Sequence, residues 1–158
     1  MPNLIDTNVL VYRYDLRYPA KREIASRLLR DSAGTEQLVI PHQALVEFVA
    51  ATTRPRRSLN GSALLDRAAA YRAVEHVMEQ FPVVYPNAAV VVVAMRGAAA
   101  YQLSWYDAHL WAYAEVNGLD EIFTEDFEHG RRYGSVRAHD PFLAASDEVH
   151  ELPALYQD

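Results

Sequence analysis

Asn3-Leu4-Ile5-Asp6-Thr7-Asn8-Val9-Leu10-Val11-Tyr12 opens the chain and carries the reading of its fold. Asn3 to Ile5 form a short apolar strand, and Asp6, Thr7 and Asn8 supply the side chains that turn a strand into a helix. The pattern then recurs. Gln37 to Ile40 reads as a second strand, and Pro41 suits a first helical position, where no amide hydrogen is needed. That helix runs to about Thr53, ahead of the Arg54-Pro55 breaker. Val83 to Tyr85 and Glu121 to Thr124 read as further strands, and Ser135 to Ala138 as a last edge strand. Between them, Ile24, Ala25, Leu28 and Leu29 share a helical face before Gly34. Asn60 to Gln80 reads as a long helix, with Ala70, Val74, Val77 and Phe81 in register. Four valines favour a strand in Asn87 to Ala100, but its length, its alanines and a capping Asn87 favour the helix adopted here. Trp105 to Asn117 is a helix ending at Gly118. Strands alternating with helices predict an α/β fold, a central parallel sheet of four to five strands in one domain.

Bulk properties narrow the function. The chain has 158 residues, of which 51% are apolar, so it can bury a sizeable core. It has no cysteine, which excludes disulfides, thiolate zinc sites and cysteine nucleophiles. No signal-peptide pattern opens it, and its longest apolar run, Ala88 to Met95, is far short of the roughly 20 residues that span a bilayer. A soluble, intracellular protein of the cytoplasm, without membrane contact, is the expectation. A net charge of −6 argues against a broad nucleic-acid surface but not against a nuclease, whose acids a bound metal would offset. Arg54, Arg56 and Arg57 form a basic patch and are candidates to contact RNA phosphates; a plain solvated loop accounts for them equally well. The tail from Asp140 onward holds five acids and no Lys or Arg.

Four acids stand out. Asp6 and Asp126 follow predicted strands, at the edge of an open sheet where functional residues gather. Asp107 shares a helical face with Leu110, Trp111 and Ala114, a costly place for a carboxylate unless a cation or donors satisfy it. Glu47 flanks a helix whose apolar face carries Ala44, Leu45, Phe48 and Ala51. Taken singly, each has an ordinary structural explanation. Asp6-Thr7-Asn8 can cap a helix, Ser104 and Asp107 match the capping-box spacing, and Asp126 can cap the segment before Gly130. Their combination in a strand–helix alternation points instead to a hard cation such as Mg²⁺ or Mn²⁺, which prefers oxygen ligands.

The same segments resemble the PIN-domain family, and within it the VapC-type ribonuclease toxins of toxin–antitoxin systems. Leu4-Ile5-Asp6-Thr7-Asn8-Val9-Leu10-Val11-Tyr12 is similar to the first motif, continuing through Tyr14-Asp15 and Pro19-Ala20-Lys21. Glu47, in Ala44-Leu45-Val46-Glu47-Phe48, resembles the second acidic position. Leu103-Ser104-Trp105-Tyr106-Asp107-Ala108 resembles the third motif, and Thr124-Glu125-Asp126-Phe127 the last. The resemblance implies a Rossmann-like PIN domain over residues 1–142 and a C-terminal extension, 143–158, without a family counterpart. It also implies endonucleolytic cleavage of RNA dependent on Mg²⁺ or Mn²⁺, a cognate antitoxin and a homodimer. On this reading Asp6, Glu47, Asp107 and Asp126 are the catalytic and metal-binding residues, and Thr7, Asn8 and Thr124 orient them or the attacking water. One departure is Asp140, where such toxins commonly carry Asn before Pro-Phe.

The competing readings are weaker. An aspartyl phosphotransferase of the haloacid-dehalogenase type wants an acid two residues after its nucleophile, where this chain has Asn8. Receiver domains rely on a lysine after a late strand, and Lys21 is the only lysine here. The six histidines show no zinc-enzyme spacing. A non-catalytic PIN-fold module that binds RNA or protein is the main alternative, though phosphate binding has no use for four acids.

Overall fold

Six strands, in the order β3-β2-β1-β4-β6-β5, form the sheet of the computed structural model, which describes residues 2–145. β1 (Asn3–Ile5) lies at its centre, flanked by β2 (Leu38–Pro41) and β4 (Glu121–Phe123), both parallel to it. β3 (Val83–Val84) adds to β2, and β6 (Val136–His139) adds to β4, again in parallel. The final strand, β5 (Arg132–Tyr133), runs antiparallel to β6 and forms that edge. The chain therefore builds outward from β1 in one direction and returns to its other side at β4. That reversal creates a crevice at the carboxyl ends of β1 and β4.

Six helices cover the two faces: α1 (Thr7–Tyr12), α2 (Pro19–Ser32), α3 (His42–Thr53), α4 (Arg67–Gln80), α5 (Ala88–Tyr101) and α6 (Trp105–Val116). Successive residues of a strand point to opposite faces, so each strand feeds both layers. Ile5, Leu38 and Ile40 join the core under α1 to α4, whereas Leu4, Val39 and Ile122 join the core under α5 and α6. Burial on both sides explains why the strands read as short continuous apolar runs rather than alternating ones.

The α5 ambiguity resolves as a helix. The Asn87 side chain accepts from the Val90 amide at 3.1 Å, and Val90, Ala94 and Gly97 are buried at helical spacing while Val91 and Val92 face out. Gly97 lies against Trp111 of α6, and a methyl group in its place would overlap the indole ring. The Trp111 Nε1 donates to the Tyr133 carbonyl at 2.7 Å, tying α6 to the β5 edge.

Four expectations need correction. The sheet has six strands rather than four or five: the strand read at Val83 to Tyr85 is the β3 edge, and the two-residue β5 is too short to announce itself. The segment expected at the edge is β6, which lies inside, with β5 covering it. The helix expected from Asn60 starts at Arg67: Asn60 and Gly61 take left-handed backbone angles after a 3₁₀ turn, and Asp66 caps the later start. Pro41 ends β2 and stands just before α3 rather than as its first residue, since its φ of −73° suits both places and its ψ of 143° keeps it extended. Phe142, at the end of the expected domain, is buried; of the C-terminal extension, Leu143–Ala145 form a 3₁₀ turn with Ala145 buried, and residues 146–158 lie outside the described residues. Among the described residues no single helix is long and apolar enough to cross a membrane.

Candidate active site

β1 delivers Asp6 to the crevice and ends there. The residue has extended backbone angles and caps α1, its Oδ1 accepting from the Thr7 amide at 2.6 Å. Its Oδ2 accepts from the Thr124 hydroxyl at 2.6 Å, across the β1–β4 pair. The same Thr124 oxygen accepts from the Asp126 amide at 3.0 Å. A single hydroxyl thus fixes one carboxylate and the backbone of the next. Asp126 is held further by the Asn8 amide nitrogen, 3.1 Å from its Oδ2.

The other two acids arrive on helices. Glu47 projects from α3, its Oε2 accepting from the Thr7 hydroxyl at 2.7 Å and its Oε1 from the Gln43 side chain at 2.7 Å. Asp107 lies in the first turn of α6, where its amide bonds to the capping Ser104 hydroxyl at 3.1 Å. The capping roles anticipated for Asp6 and Ser104 are therefore real, and they coexist with placement at the crevice.

Burial and mutual repulsion mark the cluster. Asp6 is 2% exposed, and its carboxyl is raised well above the usual range by desolvation, then by the charge of Asp126, with smaller contributions from Asp107 and Glu47. The Thr124 bond works against that rise. Asp126 is pushed up to about 7, first by burial, then by Asp107 and Glu125, with a hydrogen bond to Asp6 pulling it back. Asp107 is raised by burial and by Glu47, and hydrogen bonding to Ser104 lowers it.

The site does not look alike on all sides. Next to Asp126, the Glu125 carboxylate is neutralised by Lys21 at 2.8 Å and takes a hydrogen bond from the Tyr12 hydroxyl. Sequence reasoning placed Lys21 in a helix and gave it no role, as nothing local marks its reach to residue 125. It also missed Gln43, whose amide nitrogen joins Glu47 to the Tyr106 carbonyl at 3.1 Å. The only signal for Gln43 was its position one helical turn before Glu47. The basic patch needs correction: Arg54 and Arg57 are exposed, but Arg56 is 1% exposed and donates to the Ala51 carbonyl at 2.8 Å, so it cannot reach RNA.

As the side chains stand, no three Asp, Glu or His groups among the described residues converge closely enough to ring an ion. The donor set nevertheless suits one. It is entirely oxygen, it carries uncompensated negative charge, and the buried Asn8 Oδ1 has no hydrogen-bond partner among the described residues.

The sequence matches the family model of the PIN domain over residues 4–134. The chain belongs to the PIN-domain family. Solved structures agree on the fold. The PIN chain here is similar to one in the DNA-bound VapBC complex of Salmonella typhimurium, with a TM-score of 0.63 at 16% identity, covering 89% of this chain and 99% of that one. It is similar to the sarcin–ricin-loop-cleaving toxin VapC20 of Mycobacterium tuberculosis, with a TM-score of 0.60 at 17% identity, covering 85% and 98%. VapBC-1 from nontypeable Haemophilus influenzae gives 0.60 at 19% identity, covering 89% and 98%. No curated protein sequence matches the chain. PIN-domain toxins of the VapC kind are generally nucleases, and PIN-domain nucleases typically use divalent metals.

Proposed function

We propose that this PIN domain is an endoribonuclease dependent on Mg²⁺ or Mn²⁺ and the toxin of a toxin–antitoxin pair. The observation that carries the reading is the linkage of Asp6, Glu47 and Asp126 through Thr124, Thr7 and Asn8, with Asp107 near enough for its charge to act on Asp6 and Asp126 and, among the described residues, no cationic side chain bonded to any of the four. Those four carboxylates would hold the ion. When bound, it supplies Lewis-acid chemistry: activation of a water and neutralisation of charge on the phosphodiester and the leaving oxygen.

The chain's own residues do the positioning. Thr124 holds the Asp6 carboxylate and the Asp126 backbone in one relation, tying the end of β1 to the segment after β4. Thr7 and Gln43 occupy both oxygens of Glu47 and aim it from α3. Asn8 orients Asp126, and its own carbonyl oxygen is buried without a hydrogen-bond partner among the described residues. Such supporting contacts typically cost 10–100-fold in metal affinity or activity when removed.

Fold likeness to chains from VapBC complexes supports a cognate antitoxin as partner, and the family resemblance supports a homodimer and an RNA substrate. A second reading draws on the absence of a ready ion ring among the described residues: a PIN-fold module that binds RNA or protein without cutting. The test is cleavage of a mixed cellular RNA pool with Mg²⁺, with Mn²⁺ and with chelator, alongside folded Asp6→Asn and Asp107→Asn. Discrete metal-dependent cuts lost in both variants are expected. A folded protein that cuts under neither metal leaves the binding module as the better account.

A further inference from the structure

Beside the carboxylates lies a second concavity that the chemistry above does not use. It has a volume of about 240 Å³ and is lined by Gln43, Val46 and Glu47 of α3 and by Trp105, Tyr106 and His109 of α6. Pockets for drug-sized ligands run from roughly 300 to 1,000 Å³, so this one takes a single flat group. One of its walls belongs to the candidate site, since Glu47 lines both, and Asp107 follows the lining Tyr106 directly in sequence.

Its surfaces are apolar and open. Trp105 is 48% exposed, Tyr106 65% and Val46 57%. Its geometry is fixed in advance. Trp105 and His109 pack edge to face with centroids 4.2 Å apart, and the His109 Nδ1 bonds to the Trp105 carbonyl at 2.8 Å. Gln43 bridges α3 to the start of α6 through Glu47 and the Tyr106 carbonyl. Among the described residues, Gln43 Oε1 and His109 Nε2 make no hydrogen bond. A preformed slot with aromatic faces, two polar atoms at hand and no Lys or Arg in its lining suits a neutral ring with a hydrogen-bonding edge. It does not suit a phosphate, which the Glu47 carboxylate would repel. It is also too small to seat the successive apolar side chains of a partner helix.

We propose that this slot binds one unpaired nucleobase of the RNA substrate, stacked on Trp105 or Tyr106, adjacent to the phosphodiester presented to the carboxylates. Single-stranded RNA is read in this way, by stacking on aromatic rings and by hydrogen bonds to base edges. The proposal rests on the endoribonuclease reading for its location, and its test separates the two.

The experiment uses the full chain and fluorescein-labelled RNA decamers, oligo(A), oligo(C) and oligo(U), with Ca²⁺ in place of Mg²⁺. Binding is followed by anisotropy for wild type, Trp105→Ala, Trp105→Phe and Tyr106→Ala, with sedimentation of each. Trp105→Ala is expected to weaken binding of the preferred decamer at least about five-fold, and Trp105→Phe to restore most of it. In Mg²⁺ the same loss should fall on KM more than on kcat. In wild type, unlabelled decamer should quench the exposed Trp105 while buried Trp111 stays unchanged. Equal binding by wild type, Trp105→Ala and Tyr106→Ala overturns the slot. So does conversion of a dimer to a monomer by either alanine variant with unchanged RNA affinity per folded chain, which assigns the surface to a second copy. Binding that depends on Trp105, without cleavage in any metal, upholds the slot and overturns the nuclease reading.

Discussion

The chain buries two aspartates close to α1 and treats them in opposite ways. Asp15 is fully buried, and Arg17 grips it with Nε at 2.9 Å from Oδ1 and Nη2 at 2.8 Å from Oδ2, the Arg17 amide adding a third bond. Asp6 is as deeply placed, yet it has only a hydroxyl and an amide, and its nearest charges are other carboxylates. Burying a charge without a counter-charge is costly, and the fold completes the first site from within while leaving the second to something it does not encode. A paired acid holds the structure together. On the proposed reading, a cation would relieve the repulsion that the unpaired cluster carries.

The sharpest way to break that contrast is to neutralise each acid in turn. Asp6→Asn and Asp107→Asn should reduce metal-dependent RNA cleavage by at least about 10³-fold in folded protein, measured by product formation on gels. Cleavage within a few-fold of wild type in either variant removes that residue from the chemistry. Next in size is the ion itself. Mg²⁺ or Mn²⁺ at about 100 times its Kd should stabilise wild type by about 2.7 kcal/mol in urea unfolding, and this gain should vanish in Asp6→Asn. A gain that survives Asp6→Asn places the ion elsewhere.

Asp15→Ala sharpens the other side of the comparison. It should cost about 2–3 kcal/mol of stability, less than a fully buried pair because Arg17 keeps some exposure, and leave cleavage per folded molecule near wild type. The smallest effect concerns pH. The raised carboxyls of Asp6 and Asp126 mean that the folded chain holds protons more tightly than the unfolded one. With chelator present, their contribution therefore favours folding most below the ordinary carboxylate pKa near 4, and it declines as pH rises through about 7. Asp126→Asn should flatten that decline between pH 5 and pH 8, read from urea midpoints. A steeper decline in Asp126→Asn than in wild type would show that its charge is no burden.

Much of this contrast was legible in the sequence, for reasons that differ by residue. β1 and the turn at Asp6 were readable because strand, cap and helix follow one another without interruption. The Asn87 cap decided α5 against its valines for the same local reason. Topology puts Asp6 and Asp126 at one edge of the sheet if their strands are neighbours, and β1 and β4 are paired. What was not legible needed distance in space. Arg56 looked like one of three surface arginines, and only tertiary packing buries it. The Lys21–Glu125 pair joins residues 104 apart, which no motif announces. The α4 start was misplaced because Asn60 and Gly61 turn left-handed, a backbone choice that an otherwise helical pattern conceals.

Gly97 has a reach beyond its own helix. Any side chain there must displace the Trp111 ring, and Trp111 anchors the helix whose first turn carries Asp107. If the chain is the proposed toxin, a search for loss-of-toxicity mutants in a living cell should therefore return substitutions at residue 97 alongside those at the acids. Such mutants would keep every charged group and be silenced by a methyl group placed one layer behind them.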